Sequence, residues 1–128
     1  MEAAMFSSHN QQRANNGAAA LSLDAELVAV ARQRSETMAE TNCFSHTACG
    51  PTAFDLLGNI GYFYQIAGEN IARNNYPDSQ TVDVAMNGFM NSAGHRANIL
   101  DTRYTKVGIG LAFGANGMKY FTVIFAGP

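Results

Sequence analysis

The apolar positions of this chain change period along its length, and each period predicts an element. Around Met5 to Asn15 the pattern is helical but weak. Phe6, Asn10 and Arg13 fall on similar faces, and Asn16-Gly17 stops the segment. Asp24 then caps a longer helix. Leu27, Val30, Ala31, Arg34 and Met38 recur at i, i+3, i+4 spacing, and Glu26 lies in the first turn, where the helix dipole favours an acid. Pro51-Thr52 opens a short helix over Ala53 to Asn59, ended by Gly61. The mixed apolar stretch Tyr64 to Ala72 is compatible with a strand. Asp78 or Ser79 caps a fourth helix with Val82, Ala85, Met86 and Phe89 as its buried stripe, and His95 to Leu100 forms a further short helical turn.

Near the end the period shortens to two. Val107, Ile109 and Leu111 alternate with Gly108, Gly110 and Ala112. Gly114-Ala115-Asn116-Gly117 is a turn, and Tyr120 to Phe125 is rich in strand formers. This is a β-hairpin signal. Helices come first and strands last, so the class is α+β, with helices packed on a small antiparallel sheet.

Composition narrows the picture. The 128 residues are 47% hydrophobic, enough for one core and one domain over residues 1–128. Eight Phe, five Tyr and six Met supply its bulk in the absence of Trp. Charged residues make up only 14%, the net charge is −2, and no basic stripe exists, so a nucleic-acid partner is not expected. No apolar run approaches the roughly 20 residues of a membrane helix, so no transmembrane segment is expected either. Met1-Glu2-Ala3-Ala4-Met5 has neither a positive n-region nor an apolar h-region, so a signal peptide is not expected in this stretch.

The candidate chemistry sits in three strings: Phe44-Ser45-His46, Gly68-Glu69-Asn70-Ile71-Ala72 and Gly94-His95-Arg96-Ala97-Asn98-Ile99-Leu100. They hold two of the three histidines and one of the acids. Two imidazoles and a carboxylate can hold zinc with an open coordination position, or work as an acid–base set near neutral pH. Their spacings are not local, so only the fold can bring His46, Glu69 and His95 together. Singly, each has a plainer role: His46 bonding its own loop, Glu69 closing a turn, His95 capping a helix. Ser92, three residues before His95, imitates a Ser-His-acid set with Glu69 but sits on no nucleophile elbow. Cys43 and Cys49 flank His46. They read as a local disulfide of an oxidising compartment, with two reduced thiols or Cys43-x-x-His46-x-x-Cys49 metal ligation as the alternatives. A disulfide would abolish a cysteine nucleophile beside His46. His9, beside Asn10 and Gln11, reads as a surface histidine. Tyr62, Phe63 and Tyr64 read as groove lining or core.

In order along the chain, His9-Asn10-x-x-Arg13, Leu23-Asp24-x-x-Leu27, Phe44-Ser45-His46, Gly68-Glu69-Asn70-Ile71-Ala72, Phe89-Met90-Asn91-Ser92-x-Gly94-His95-Arg96-x-Asn98-Ile99-Leu100 and Val107-Gly108-Ile109-Gly110 closely resemble the CAP superfamily. This is the SCP-like group of cysteine-rich secretory proteins, antigen 5 and class 1 pathogenesis-related proteins, and the likeness is greatest to its short bacterial branch. The resemblance implies a three-layer α–β–α sandwich, secretion or cell-surface display, and a central cleft. In the family that cleft carries two histidines and two glutamates and can bind a divalent metal. By motif these are His46, His95 and Glu69, lined by Ser45, Asn70 and Ser92. The chain departs from the family at the second glutamate: the position three residues after the Trp-like aromatic, here Phe89, is Ser92.

The expectation is a monomeric, non-catalytic binding module that holds zinc or another divalent metal and recognises a cell-envelope, lipid or host-protein ligand. The alternative is a metal-dependent hydrolase with His46 and His95 as ligands and Glu69 as third ligand or general base, Glu69 and His95 being its candidate catalytic residues. A third reading makes the three residues a structural polar cluster.

Overall fold

Strand β4 (Lys119–Gly127) is buried along its whole length and organises the sheet. The computed structural model describes residues 1–128. The other elements, in order, are α1 (Glu2–Asn15), β1 (Ser22–Leu23), α2 (Ala25–Thr41), α3 (Ala53–Asn59), β2 (Ile66–Asn74), α4 (Thr81–Met90), α5 (Ala93–Leu100) and β3 (Lys106–Phe113). The strand order is β1-β3-β4-β2. β4 pairs antiparallel with both β2 and β3, and the two-residue β1 adds in parallel to β3, which makes the sheet mixed.

Side-chain alternation on β4 splits the core into two layers. Phe121, Val123 and Phe125 face α1, α4 and α5, where Met5, Val82, Ala85, Met86, Phe89 and Ile99 meet them. Ile124 and Ala126 face α2 and α3, packing on Leu27, Val30, Ala31, Ala53, Leu56 and Leu57. The expected α–β–α sandwich is therefore present. The alternation on β3 has the same cause. Val107 and Ile109 enter the first layer. Gly108 and Gly110 face α2, where a Cβ would overlap the backbone of Leu27 and Val28 or of Ala31 and Arg32. Glycine lets helix and strand touch main chain to main chain.

The caps explain most of the boundaries. Asp24 accepts from the Glu26 and Leu27 amides at the start of α2. Thr52 and Asp55 form a reciprocal capping box on α3. Gly61, with φ +67°, lies just past α3 in the left-handed region. At α4 the expected side-chain cap from Asp78 or Ser79 is absent. Gln80 is the N-cap, and the Pro77 carbonyl accepts from the amides of Gln80 and Thr81 instead. α1, α5 and β2 also have shifted ends: α1 starts at Glu2, α5 at Ala93, and β2 runs Ile66–Asn74.

α1 departs most from the sequence reading. Met5, His9 and Arg13 form its buried stripe. His9 is wholly buried, not a surface residue, because α1 lies flat on the sheet and turns this i, i+4, i+8 row inward. Its ring sits between Phe89 and Phe125, with centroids 6.2 and 5.8 Å away. Its Nδ1–H donates to the Met5 carbonyl at 2.8 Å, while Nε2 has no partner. Arg13, equally buried, donates to the carbonyls of Ala19, Ile99, Asp101 and Tyr104, tying α1 to the end of α5 and the segment after it.

Desolvation pushes the His9 pKa down to about 4, with the Met5 carbonyl opposing and Arg13 reinforcing. Above the ordinary imidazole pKa His9 is neutral folded and unfolded, and contributes no pH dependence. Between about 6.5 and 4 only the unfolded chain takes the proton, so stability falls as pH falls. The expected loss by pH 4 from this residue is about 2–3 kcal/mol. Urea unfolding of wild type and His9→Leu across this range checks it: the variant should show a shallower acid slope, and parallel slopes would contradict it.

Candidate functional site

Two elements and one loop converge where β2, α5 and the segment after α2 meet. A pocket of about 290 Å³ is lined there by His46, Glu69, Asn70, Ser92, Gly94, His95 and Asn98. The fold thus brings His46, Glu69, His95, Asn70 and Ser92 together, as their motifs led us to expect. Ser45 does not line this pocket. Its Oγ accepts from the Thr47 and Ala48 amides and shapes its own loop.

The loop carrying His46 is held at several points. Cys43 and Cys49 form a disulfide across it. Cys49 is buried beside Met38, Ile71 and Tyr120. The expected pairing is therefore present, and neither cysteine is a thiol or a metal ligand. Beneath the loop lies Arg34, whose side chain is 1% exposed. Its Nε and Nη2 donate to the two oxygens of Glu69 at 2.9 and 3.2 Å, and Nη2 also reaches the Ser45 carbonyl at 2.9 Å. Arg34 thus joins loop, helix and sheet below the site.

Glu69 in turn holds His46. The ring Nδ1 lies 2.7 Å from Glu69 Oε1, and a carboxylate there makes Nδ1 the donor. Nδ1 of His95 lies 2.8 Å from Ser92 Oγ. When that nitrogen donates to the hydroxyl, Nε2 is left as the free lone pair. A ligand imidazole held at its other nitrogen by an oxygen acceptor is the arrangement metal sites use to fix tautomer and orientation. His95 also sits 5.3 Å, centroid to centroid, from Phe89. Its pKa is lowered, first by desolvation and then by the charge of His46, which is consistent with the two imidazoles sharing one pocket. A lowered pKa keeps His95 unprotonated, as a ligand must be.

The set fits a cation only in part through protein donors. No group of three His, Cys, Asp and Glu side chains comes together as a metal cage. The Glu69 oxygens are engaged by Arg34 and His46, so this carboxylate stands behind His46. Two imidazole nitrogens with open solvent positions are the donor chemistry on offer, and they suit a borderline cation such as zinc.

Two contributors escaped the sequence reading. Arg34 looked like one member of an apolar helical stripe. Asn98 donates to Asn70 Oδ1 at 2.9 Å, and Asn70 Nδ2 donates to the His95 carbonyl at 3.0 Å, locking α5 to β2. The Gly-His-Arg-x-Asn string contains the signal for Asn98, a polar residue one turn after His95 on the same helical face.

The sequence model of the cysteine-rich secretory protein family, CAP, matches residues 6–125. The uncharacterized protein YkwD of Bacillus subtilis (strain 168) is 36% identical over 104 residues, covering 79% of this chain. An extracellular protein containing a SCP domain from Bacillus anthracis str. Ames is 30% identical and superposes over 99% of this chain with a TM-score of 0.84. The chain spans only 38% and 40% of the lengths of those two proteins. An outer surface protein from Borrelia burgdorferi superposes over 96% of this chain and 89% of its own, with a TM-score of 0.84 at 20% identity, a likeness of fold.

Proposed function

The chain belongs to the cysteine-rich secretory protein (CAP) family, and from that premise we propose that it is an extracellular or cell-surface binding module whose cleft holds a divalent cation between His46 and His95. The supporting observation is that both imidazoles are held by Nδ1, one by Glu69 and one by Ser92, within a single pocket. Zinc bound there would supply a Lewis-acidic centre with exchangeable water positions, to which an oxygen donor of a cell-envelope, lipid or host-protein ligand binds. Glu69 orients His46, Arg34 fixes Glu69, and Asn70 with Asn98 fixes the start of α5. The disulfide, together with relatives described as extracellular or outer-surface proteins, supports a location outside reducing compartments.

A hydrolase built on the same residues has less support. Glu69 is tied to Arg34 and His46 rather than free above the cleft, and Ser92 lacks the strained turn of a nucleophile elbow.

Zinc titration by calorimetry at about pH 7.5, above the ordinary imidazole pKa, tests the reading. One-to-one binding is expected. It should vanish in the His46→Ala/His95→Ala double variant with the thermal melt retained, and weaken by about tenfold or more in Ser92→Ala, which releases the His95 ring. Absent binding, or binding unchanged in the double variant, would reject the cation site and leave the histidines as a polar scaffold.

A further inference from the structure

Beside the dihistidine pocket runs a second groove, of about 280 Å³. Four consecutive residues of β2, Ile71 to Asn74, line it. A groove over the face of a sheet is lined by every second residue of a strand. Consecutive residues therefore mean that this groove follows the strand's edge. β2 is the outer strand on that side and pairs only with β4. One wall is Phe44, an exposed aromatic with the Arg73 guanidinium 4.9 Å from its ring centre. The other wall is α4, through Val84, Ala85, Gly88 and Phe89. At its end the groove meets the dihistidine pocket, with which it shares Ser92 and His95.

The Glu69 carbonyl points away from β4, because it accepts from Asn98 Nδ2 on α5. In an antiparallel strand a residue's N–H and C=O lie on the same side, and successive residues alternate. Ile71 and Arg73 therefore direct both groups away from β4 and into the groove. α5 covers the edge at Glu69 and Asn70. No backbone hydrogen bond outside the sheet ladder involves Ile71 or Arg73. An unpaired strand edge, exposed at Arg73 and narrowing to 5% exposure at Ile71, between two apolar walls has the form of a peptide-addition site: main-chain groups provide pairing, and the walls select side chains. The groove lining contains no acid, and its one charged group is Arg73.

We propose that this edge binds an extended peptide. The peptide adds to the four-stranded sheet as a further strand along Ile71 to Arg73. It places a bulky apolar side chain between Phe44 and α4, and an acidic side chain beside Arg73. The proposal rests on the binding-module reading and makes no use of the cation, so the two can fail separately.

The test is selection of a displayed random-heptapeptide library on the intact protein in the presence of a chelator, with counter-selection on Gly88→Trp. Gly88 lines the groove and has no heavy atom within 4 Å of the position of its missing Cβ, so a large side chain there is expected to occupy the groove, and a retained thermal melt checks that the fold is kept. Gly88→Ala is the control that keeps the groove open. The expected result is enrichment of peptides with a large apolar residue and an acid. Their affinity should fall by about tenfold or more in Gly88→Trp, and by a similar factor when the peptide amides that face β2 are N-methylated, since each removes a paired main-chain donor. Failure to enrich any sequence over Gly88→Trp would overturn the proposal. So would enriched peptides that tolerate N-methylation at every alternate amide, because side chains alone would then hold them. Dodecanoate serves as the acyl probe: binding of dodecanoate without binding of peptides would make the groove an acyl site and reject strand addition.

Discussion

Arg34→Met is expected to destabilise the protein by about 3–5 kcal/mol, the largest single-residue effect foreseen here. Arg34 and Glu69 have side chains 1% and 4% exposed, and they face each other through two hydrogen bonds. Removing one member leaves a buried carboxylate without its countercharge, and also releases the Ser45 carbonyl on the disulfide loop. The size of the effect comes from the unpaired charge rather than from the worth of the pair. Removing both charges in Arg34→Met/Glu69→Leu should accordingly recover most of the loss, since isosteric apolar replacement of a buried pair is often close to neutral. Urea unfolding of the two single variants and the double variant closes the cycle. A single-variant loss below about 1 kcal/mol would place the pair among solvent-screened surface bridges and contradict its burial.

The second large effect belongs to Gly108 and Gly110. Either glycine changed to alanine puts a Cβ into the main chain of α2, a rigid obstacle that no rotamer change relieves. α2 would have to lift from the sheet, opening the layer where Leu27, Val30 and Ala31 meet Ile124. The expected cost is about 3 kcal/mol or more for each, the upper end of overpacking. Gly58→Ala is the internal control. It lies in α3 with open space around its missing Cβ and should gain up to about 1 kcal/mol from helix propensity. Thermal melts of the three variants decide the matter. If Gly108→Ala melts with wild type, α2 does not rest on β3 main chain to main chain.

How much of this was legible in the sequence depended on whether a signal was local. α2 and α3 were clear because apolar periodicity and a polar cap coincide in each. The β3–β4 hairpin was clear from its period of two, although periodicity alone could not say that Gly108 and Gly110 mark a helix lying on the strand. α1 was misread on its buried face because its inward stripe includes His9 and Arg13, which any hydrophobic pattern assigns to solvent. β1 has two residues and exists only through its partner β3, so no local pattern announces it. At the site, His46, Glu69, Asn70 and His95 were found through the polar strings that hold them, and Ser92 through its spacing to His95 and the family resemblance. Arg34 was not, because an arginine on an apolar stripe reads as a side chain reaching out to water. Only the carboxylate of a strand 35 residues away reverses that reading.

The position of β4 in the sequence has a consequence for how the chain acquires its fold. The strand that both β2 and β3 need as partner follows every other element of the fold along the chain. Synthesis from the N-terminus therefore produces helices and three strands before β4, of which only the two-residue β1 can pair, with β3. Arg13 likewise waits for the carbonyls of Ile99, Asp101 and Tyr104, 86 to 91 residues later. Contacts of such long range make folding slow relative to helical bundles of this size, and leave the sheet incomplete until β4 emerges. A ribosome stalled before Lys119 would hold a polypeptide whose sheet lacks the strand that joins β2 to β3, with β2 unpaired and β3 joined only to β1.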